Sequence, residues 1–179
     1  WKLLELGKLT REEVLVRRYE ILFQEVGMSC DAKKISEKYE DFLGEGHYFI
    51  PGAKELLEDL SKKYHLYLAS NGAVKVQMSR IKSAGIEKYL EKIFLSEQIG
   101  YEKPSPQFFE KCFSQIPDFK KEEALILGDS LTSDIRGGKN AGILTVWFHP
   151  HGKNAKEEIV PDYEIGKLEE LKKILSFYS

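Results

Sequence analysis

The chain has 179 residues, 42% hydrophobic and 31% charged, enough for one domain with a substantial core or for a core plus a small appendage. A net charge of −2 and a pI near 6.2 exclude the basic footprint of a protein that binds nucleic acid polymers. No apolar run reaches membrane-spanning length and no signal-peptide pattern opens the chain, which predicts a cytoplasmic protein without a membrane partner.

Residues 1–46 read as helical throughout. In "TREE", Thr10 with Glu13 three residues on forms a capping box, and Leu15, Tyr19, Leu22 and Val26 then recur at helical spacing until Gly27. A second helix is expected in "DAKKISEKYEDFL", ending at Gly44, so this part resembles a piece of a small helical bundle. Cys30 here and Cys112 further on have no CxxC spacing, which predicts reduced, partly buried thiols.

The composition changes at "GEGHYFIPG", and from Pro51 onward strands and helices alternate. "AKELLEDLSKKY" is an amphipathic helix, "HLYLASN" a strand, "AVKVQMSRIKSAG" a helix closed by Gly85, and "KIFLSEQIG" holds a short strand. Ser105 and Pro106 then open a helix in "SPQFFEKCFSQI" as N-cap and first helical residue. Strand "ALILGD", helix "SDIRGGKNAG", strand "ILTVWF", a loop through "HPHGKN", strand "DYEI" and a last helix complete the chain. Such alternation predicts an α/β fold, a parallel sheet with helices on both faces and its site at the carboxyl ends of the strands.

Chemistry gathers in three places. Ser70, Asn71 and Gly72 in "LYLASNG" follow a strand and precede a helix, a pattern that suits a phosphate as well as it suits simple helix capping. Lys103 in "GYEKPSP" is bracketed by prolines and could neutralise a phosphate or a carboxylate cluster, although an arbitrary lysine is solvated. In "LILGDSLTSD", Asp129 follows a buried strand and Gly128, whose presence suggests a tight turn, and Asp134 opens a helix. Two such carboxylates suit magnesium, or are two helix caps.

With these pieces in this order, the sequence resembles the haloacid dehalogenase-like hydrolase superfamily, in its branch with a helical cap. "LYLASNG", "GYEKPSP" and "GDSLTSD" match the second, third and fourth motifs of that superfamily, and "GGKNAG" is typical of the helix after the fourth. The resemblance implies a Rossmann-like core over residues 47–179 with a partial helical cap over 1–46. It also implies that Ser70 binds the transferred phosphoryl group, with Asn71 and Gly72 adding contacts. Lys103 would neutralise charge between nucleophile and phosphate, Asp129 would ligate Mg2+, and Asp134 would ligate it indirectly or orient it. "GDSLTSD" is similar to the magnesium phosphatases rather than the dehalogenases, and "GKLTREEVLVRRYEILFQEVG" resembles the pyrimidine 5'-nucleotidase branch.

The first motif of the family, a strand ending in Asp-x-Asp, has no counterpart: no two of Asp31, Asp41, Asp59, Asp118, Asp129, Asp134 and Asp162 are two residues apart. The family's nucleophile is therefore expected upstream of Trp1, and the chain is expected to be a fragment of a longer protein. In the family that strand lies between those of Ser70 and Asp129, so its loss would leave a slot lined by unpaired backbone groups, each costing roughly 1–3 kcal/mol when buried. The function expected is a magnesium-dependent phosphomonoesterase working through an aspartyl-phosphate on a small phosphorylated metabolite such as a nucleoside monophosphate. This chain is expected to be inactive alone. The alternative is a noncatalytic member that binds a phosphorylated ligand or a protein. His47, Tyr48 and Phe49 either contact a leaving group or pack at a hinge; Trp147 is read as core, and His149 and His151 as loop residues.

Overall fold

The structure is a computed structural model that describes residues 2–5, 7–152 and 159–178. The end of the loop expected through "HPHGKN", at Lys153 and Asn154, lies outside the described residues. The chain divides into two compact units, Trp1–Tyr48 with Ala73–Gly85, and Phe49–Gly72 with Ile86–Ser179.

The first unit is helical: α1 (Lys2–Glu5), α2 (Arg11–Glu25), α3 (Ala32–Glu45) and, after a long excursion, α5 (Val74–Ala84). Its local signals act as expected. Thr10 and Glu13 form the reciprocal capping box, Asp31 caps α3 through the Lys34 amide at 3.0 Å, and Gly85 closes α5 in the left-handed conformation. Helix α3 packs on both α2 and α5. At the second contact the Ser79 hydroxyl of α5 donates to the Gly44 carbonyl at 2.7 Å. The apolar stripe of α2 departs from expectation, because Leu22 and Val26 are exposed and Val14 is buried instead. Only the start of α2 meets enough of its neighbours to bury a side chain, whereas its second half leaves Ile21, Leu22 and Val26 to solvent.

The second unit contains α4 (Ala53–Leu60), β1 (Tyr67–Ser70), β2 (Lys92–Leu95), α6 (Ser96–Ile99), α7 (Pro106–Phe113), β3 (Leu125–Gly128), α8 (Arg136–Ala141), β4 (Leu144–Phe148), β5 (Tyr163–Ile165) and α9 (Leu171–Leu175). Every strand pairing is parallel, and helices cover both faces. On one side α4 and α9 bury Leu56, Leu171 and Ile174 against Val146 and Phe148 of β4; on the other, Phe108, Phe109 and Cys112 of α7 cluster with Phe94, Ala141 and Ile143. Alternate residues of β4 therefore serve opposite layers, as the two-residue period of a strand requires.

Among the described residues the strands form two sheets, β1 with β2 and β3-β4-β5, with no pairing between β1 and β3. All four residues of each of these strands are half-buried, whereas four of the five in β4 are fully buried. Each of the two has a paired neighbour on one edge alone. The helix expected in "SDIRGGKNAG" begins as a wide π turn over Leu131–Ile135 and becomes α-helical only at Arg136. None of the described helices is long and apolar enough to cross a membrane. Of the two cysteines, Cys30 is exposed, against expectation, while burial in the α7 layer pushes the Cys112 thiol up to about 12 despite the nearby Lys103 and Lys92 charges.

Candidate active site

The carboxyl ends of β1 and β3 and the loop after α6 converge on Lys103. The residue is only 6% exposed. Nζ donates to the Ala69 carbonyl on β1 at 2.7 Å and to Asp134 Oδ1 at 2.6 Å. The Lys103 backbone is held from the other side by Asn71, whose Oδ1 accepts from its amide at 2.8 Å and whose Nδ2 donates to its carbonyl at 2.9 Å. Asn71 thus uses both ends of its side-chain amide to clamp the lysine and caps no helix. An ammonium has three donors; Ala69 and Asp134 take two, which leaves one for an incoming anion.

Asp134 is equally confined. It is 7% exposed, and its second oxygen accepts from the Ser130 amide at 3.1 Å. Gly128 explains how it fits: a β-carbon at that position would lie 2.3 Å from Asp134 Oδ2. The glycine is required for this close approach and not for the tight turn expected from sequence, since its φ is not positive. Ser130 fastens the turn by accepting from the Ser133 amide at 3.1 Å, and Ser133 Oγ lies 3.4 Å from Asn71 Nδ2. The hydroxyl of Ser70, last residue of β1, accepts from the Gly72 amide at 3.0 Å.

Asp129 differs from its neighbours. It is exposed, and its carboxylate has no hydrogen bond or ion pair among the described residues. Its carbonyl accepts from Trp147 Nε1 at 3.0 Å. No three His, Cys, Asp or Glu side chains converge among the described residues. Magnesium needs fewer, because it retains several waters and takes one or two carboxylates. The exposed oxygen donors of Asp129 fit such a hydrated ion, whereas both oxygens of Asp134 are already engaged by Lys103 and Ser130.

Outside this cluster, Tyr48 is 95% exposed and so does not pack at a hinge, and His47 Nδ1 lies 3.0 Å from Ser83 Oγ. His149 proves to be more than a loop residue. Its ring stacks on Trp147 with centroids 4.1 Å apart, and its Nε2 lies 3.1 Å from Glu164 Oε2. Sequence reasoning placed Trp147 in the core and missed its bond to Asp129. Only the register, in which Trp147 lies opposite Gly128, brings the indole beside that carbonyl.

Comparison with known proteins shows the family. Residues 4–148 match the family model for haloacid dehalogenase-like hydrolases. The HAD-hydrolase YfnB of Bacillus subtilis is 43% identical over 176 residues, 98% of this chain and 75% of that protein. The pyrimidine 5'-nucleotidase PynA of Streptococcus pneumoniae is 38% identical over 172 residues, 96% of this chain and 73% of that protein. The crystal structure of magnesium-bound YfnB superposes with a TM-score of 0.93 at 42% identity, covering 98% of this chain and 77% of that one. The family model spans the clamped lysine and both aspartates, and this chain belongs to the haloacid dehalogenase-like hydrolases.

Proposed function

We infer that this chain carries the phosphate- and metal-binding parts of a magnesium-dependent phosphomonoesterase whose substrate is a small phosphorylated metabolite, a pyrimidine nucleoside monophosphate being the leading class. The observation that carries this reading is the buried Lys103 ammonium, fixed by Ala69, Asp134 and Asn71 and left with one donor. A buried cation held this firmly is preorganised for an anion and needs no reorganisation when charge develops on it. The likeness to PynA supports the nucleotide class. The likeness to magnesium-bound YfnB, together with the unengaged carboxylate of Asp129, supports the metal.

In this reading Asp129 would hold the ion, which when bound neutralises charge on the phosphoryl oxygens. Lys103 donates to one of those oxygens, and Asp134 keeps the ammonium in place. Asn71 holds the loop that carries Lys103, while Ser70 and the Gly72 amide lie at the β1 end for the phosphoryl group. Cap and core would divide as residues 1–46 and 47–179. Hydrolysis through an aspartyl-phosphate needs a carboxylate nucleophile, which splits one hard displacement into two easier ones. None of the seven aspartates stands in an Asp-x-Asp pair, so the chain by itself is inactive in this reading.

The test compares hydrolysis of pyrimidine nucleoside monophosphates by this chain and by a form that also carries an Asp-x-Asp strand. Turnover is expected in the second alone, lost on chelation, and lowered at least about a hundredfold by Asp129→Asn, the scale of removing one group aimed at the transition state. Turnover by the 179-residue chain alone would refute the inactivity assigned to it. Full activity of the Asp129→Asn variant would remove its metal role. The second reading, a noncatalytic phosphate binder, predicts phosphate binding without turnover in either form.

A further inference from the structure

We propose that Trp147 is a positioning residue for the metal-binding carboxylate, acting through the backbone of Asp129; the proposal rests on the metal reading given above. Asp129 lies between the end of β3 and the π turn, and its carboxylate has no hydrogen bond or ion pair to aim it among the described residues. Its peptide carbonyl is the one part of the residue with a bonded partner among the described residues, the Trp147 indole N–H at 3.0 Å. A carboxylate pivots about its Cα–Cβ bond, so fixing the peptide plane behind it limits the directions in which its oxygens can point.

Trp147 is itself well fixed. It is 3% exposed, and it belongs to β4, the central strand of the three-stranded sheet. One face of its ring is stacked on His149 at 4.1 Å, and His149 is tied in turn to Glu164 on β5 at 3.1 Å. The brace runs from β5 through His149 and Trp147 to Asp129, so two strands hold a residue that lies beyond the end of a third. A buried indole usually finds some acceptor for its N–H. Mere satisfaction of that donor would leave metal affinity untouched when the N–H is removed, whereas positioning makes affinity depend on it.

The experiment uses the full chain and the metal alone. Mn2+ is titrated by electron paramagnetic resonance into wild type, Trp147→Phe and Asp129→Asn, with circular dichroism melts alongside. Trp147→Phe keeps an aromatic ring beside His149 and deletes the N–H donor together with part of the buried indole, which is why the melts accompany the titration. Binding is expected in wild type, abolished in Asp129→Asn, and about tenfold to a hundredfold weaker in Trp147→Phe, as for other groups that orient metal ligands from behind. Wild-type affinity in a folded Trp147→Phe overturns the proposal and leaves the metal reading standing. Absence of Mn2+ binding in wild type overturns the proposal, while the metal reading stands or falls with the chelation test above. Should Trp147→Phe fail to fold, a Trp1→Phe chain makes Trp147 the sole tryptophan, which can be excited selectively. Its emission should then shift on Mg2+ addition and stay constant when Asp129→Asn is combined with Trp1→Phe; a metal-silent emission in a chain that binds Mg2+ refutes the coupling.

Discussion

Lys103 and Asp134 form a buried pair whose members are each almost inaccessible, at 8% and 11% side-chain exposure. The worth of such a pair lies less in its attraction than in what remains when one member is removed, since an uncompensated buried charge costs about 3–5 kcal/mol. Lys103→Met should therefore lower stability by that amount in urea denaturation. Lys103→Met with Asp134→Leu should recover much of it, because well-packed apolar replacements of buried ion pairs are often neutral. Equal losses in the single and double variants would mean that the pair is not the source. At this scale the sequence displayed residue types and strand ends, and from those Lys103, Asp129, Asp134, Ser70 and Asn71 were all legible as candidates. Their partners were not. That Asn71 faces the Lys103 backbone, 32 residues away, depends on how the β1 end and the loop after α6 meet. No local pattern encodes that meeting.

The elements were legible where a signal is local. The Thr10 capping box, the Asp31 cap, the Gly85 terminator and Pro106 at the first turn of α7 each depend on residues within one helical turn. Ser105 caps α7 by position without a capping hydrogen bond; its hydroxyl instead donates to Gln107 at 2.5 Å. Legibility fails where a neighbouring layer decides. Gly137 and Gly138 look like poor residues for the start of α8, since glycine weakens helix interiors. A β-carbon on Gly137 would lie 2.5 Å from the Phe109 ring, and one on Gly138 would lie 2.5 Å from Ile126 Cγ2 and 2.7 Å from Thr145 Cγ2. The glycines let α8 lie against α7, β3 and β4 at once, and they set the close layer spacing beside Asp134. Gly138→Ala is expected to destabilise the fold by about 1–3 kcal/mol despite alanine's better helix propensity, as overpacking of a tight core does. A chemical denaturation midpoint equal to or above wild type would show that the layers can part without cost.

At the scale of the molecule, the divided sheet predicts where this chain should open first. Parallel strands are stable when both faces are covered and both edges paired, and β4 satisfies this with β3 on one side and β5 on the other. β1 and β3 each satisfy it on one edge only, among the described residues. In a strand with one paired edge, alternate backbone groups face the partner and the rest face away. Amide exchange in β1 and β3 should therefore be uneven, slow and fast residues alternating, while β4 is protected throughout. The spread should be wide, because local opening free energies in one protein run from about zero to the global stability. The site makes the contrast informative: Ala69, which accepts from Lys103, and Gly128, against which Asp134 packs, belong to these two half-paired strands. An open strand edge is also a template for another chain. Uniform protection across β1 and β3 at high protein concentration, lost on dilution, would mean that a second copy pairs there; uniform protection independent of concentration would contradict the open edges outright. Alternating protection would place the least stable backbone of the core directly beneath the clamped lysine. Ligands that engage Lys103 and Asp129 should then slow exchange in β1 and β3 while leaving β4 unchanged.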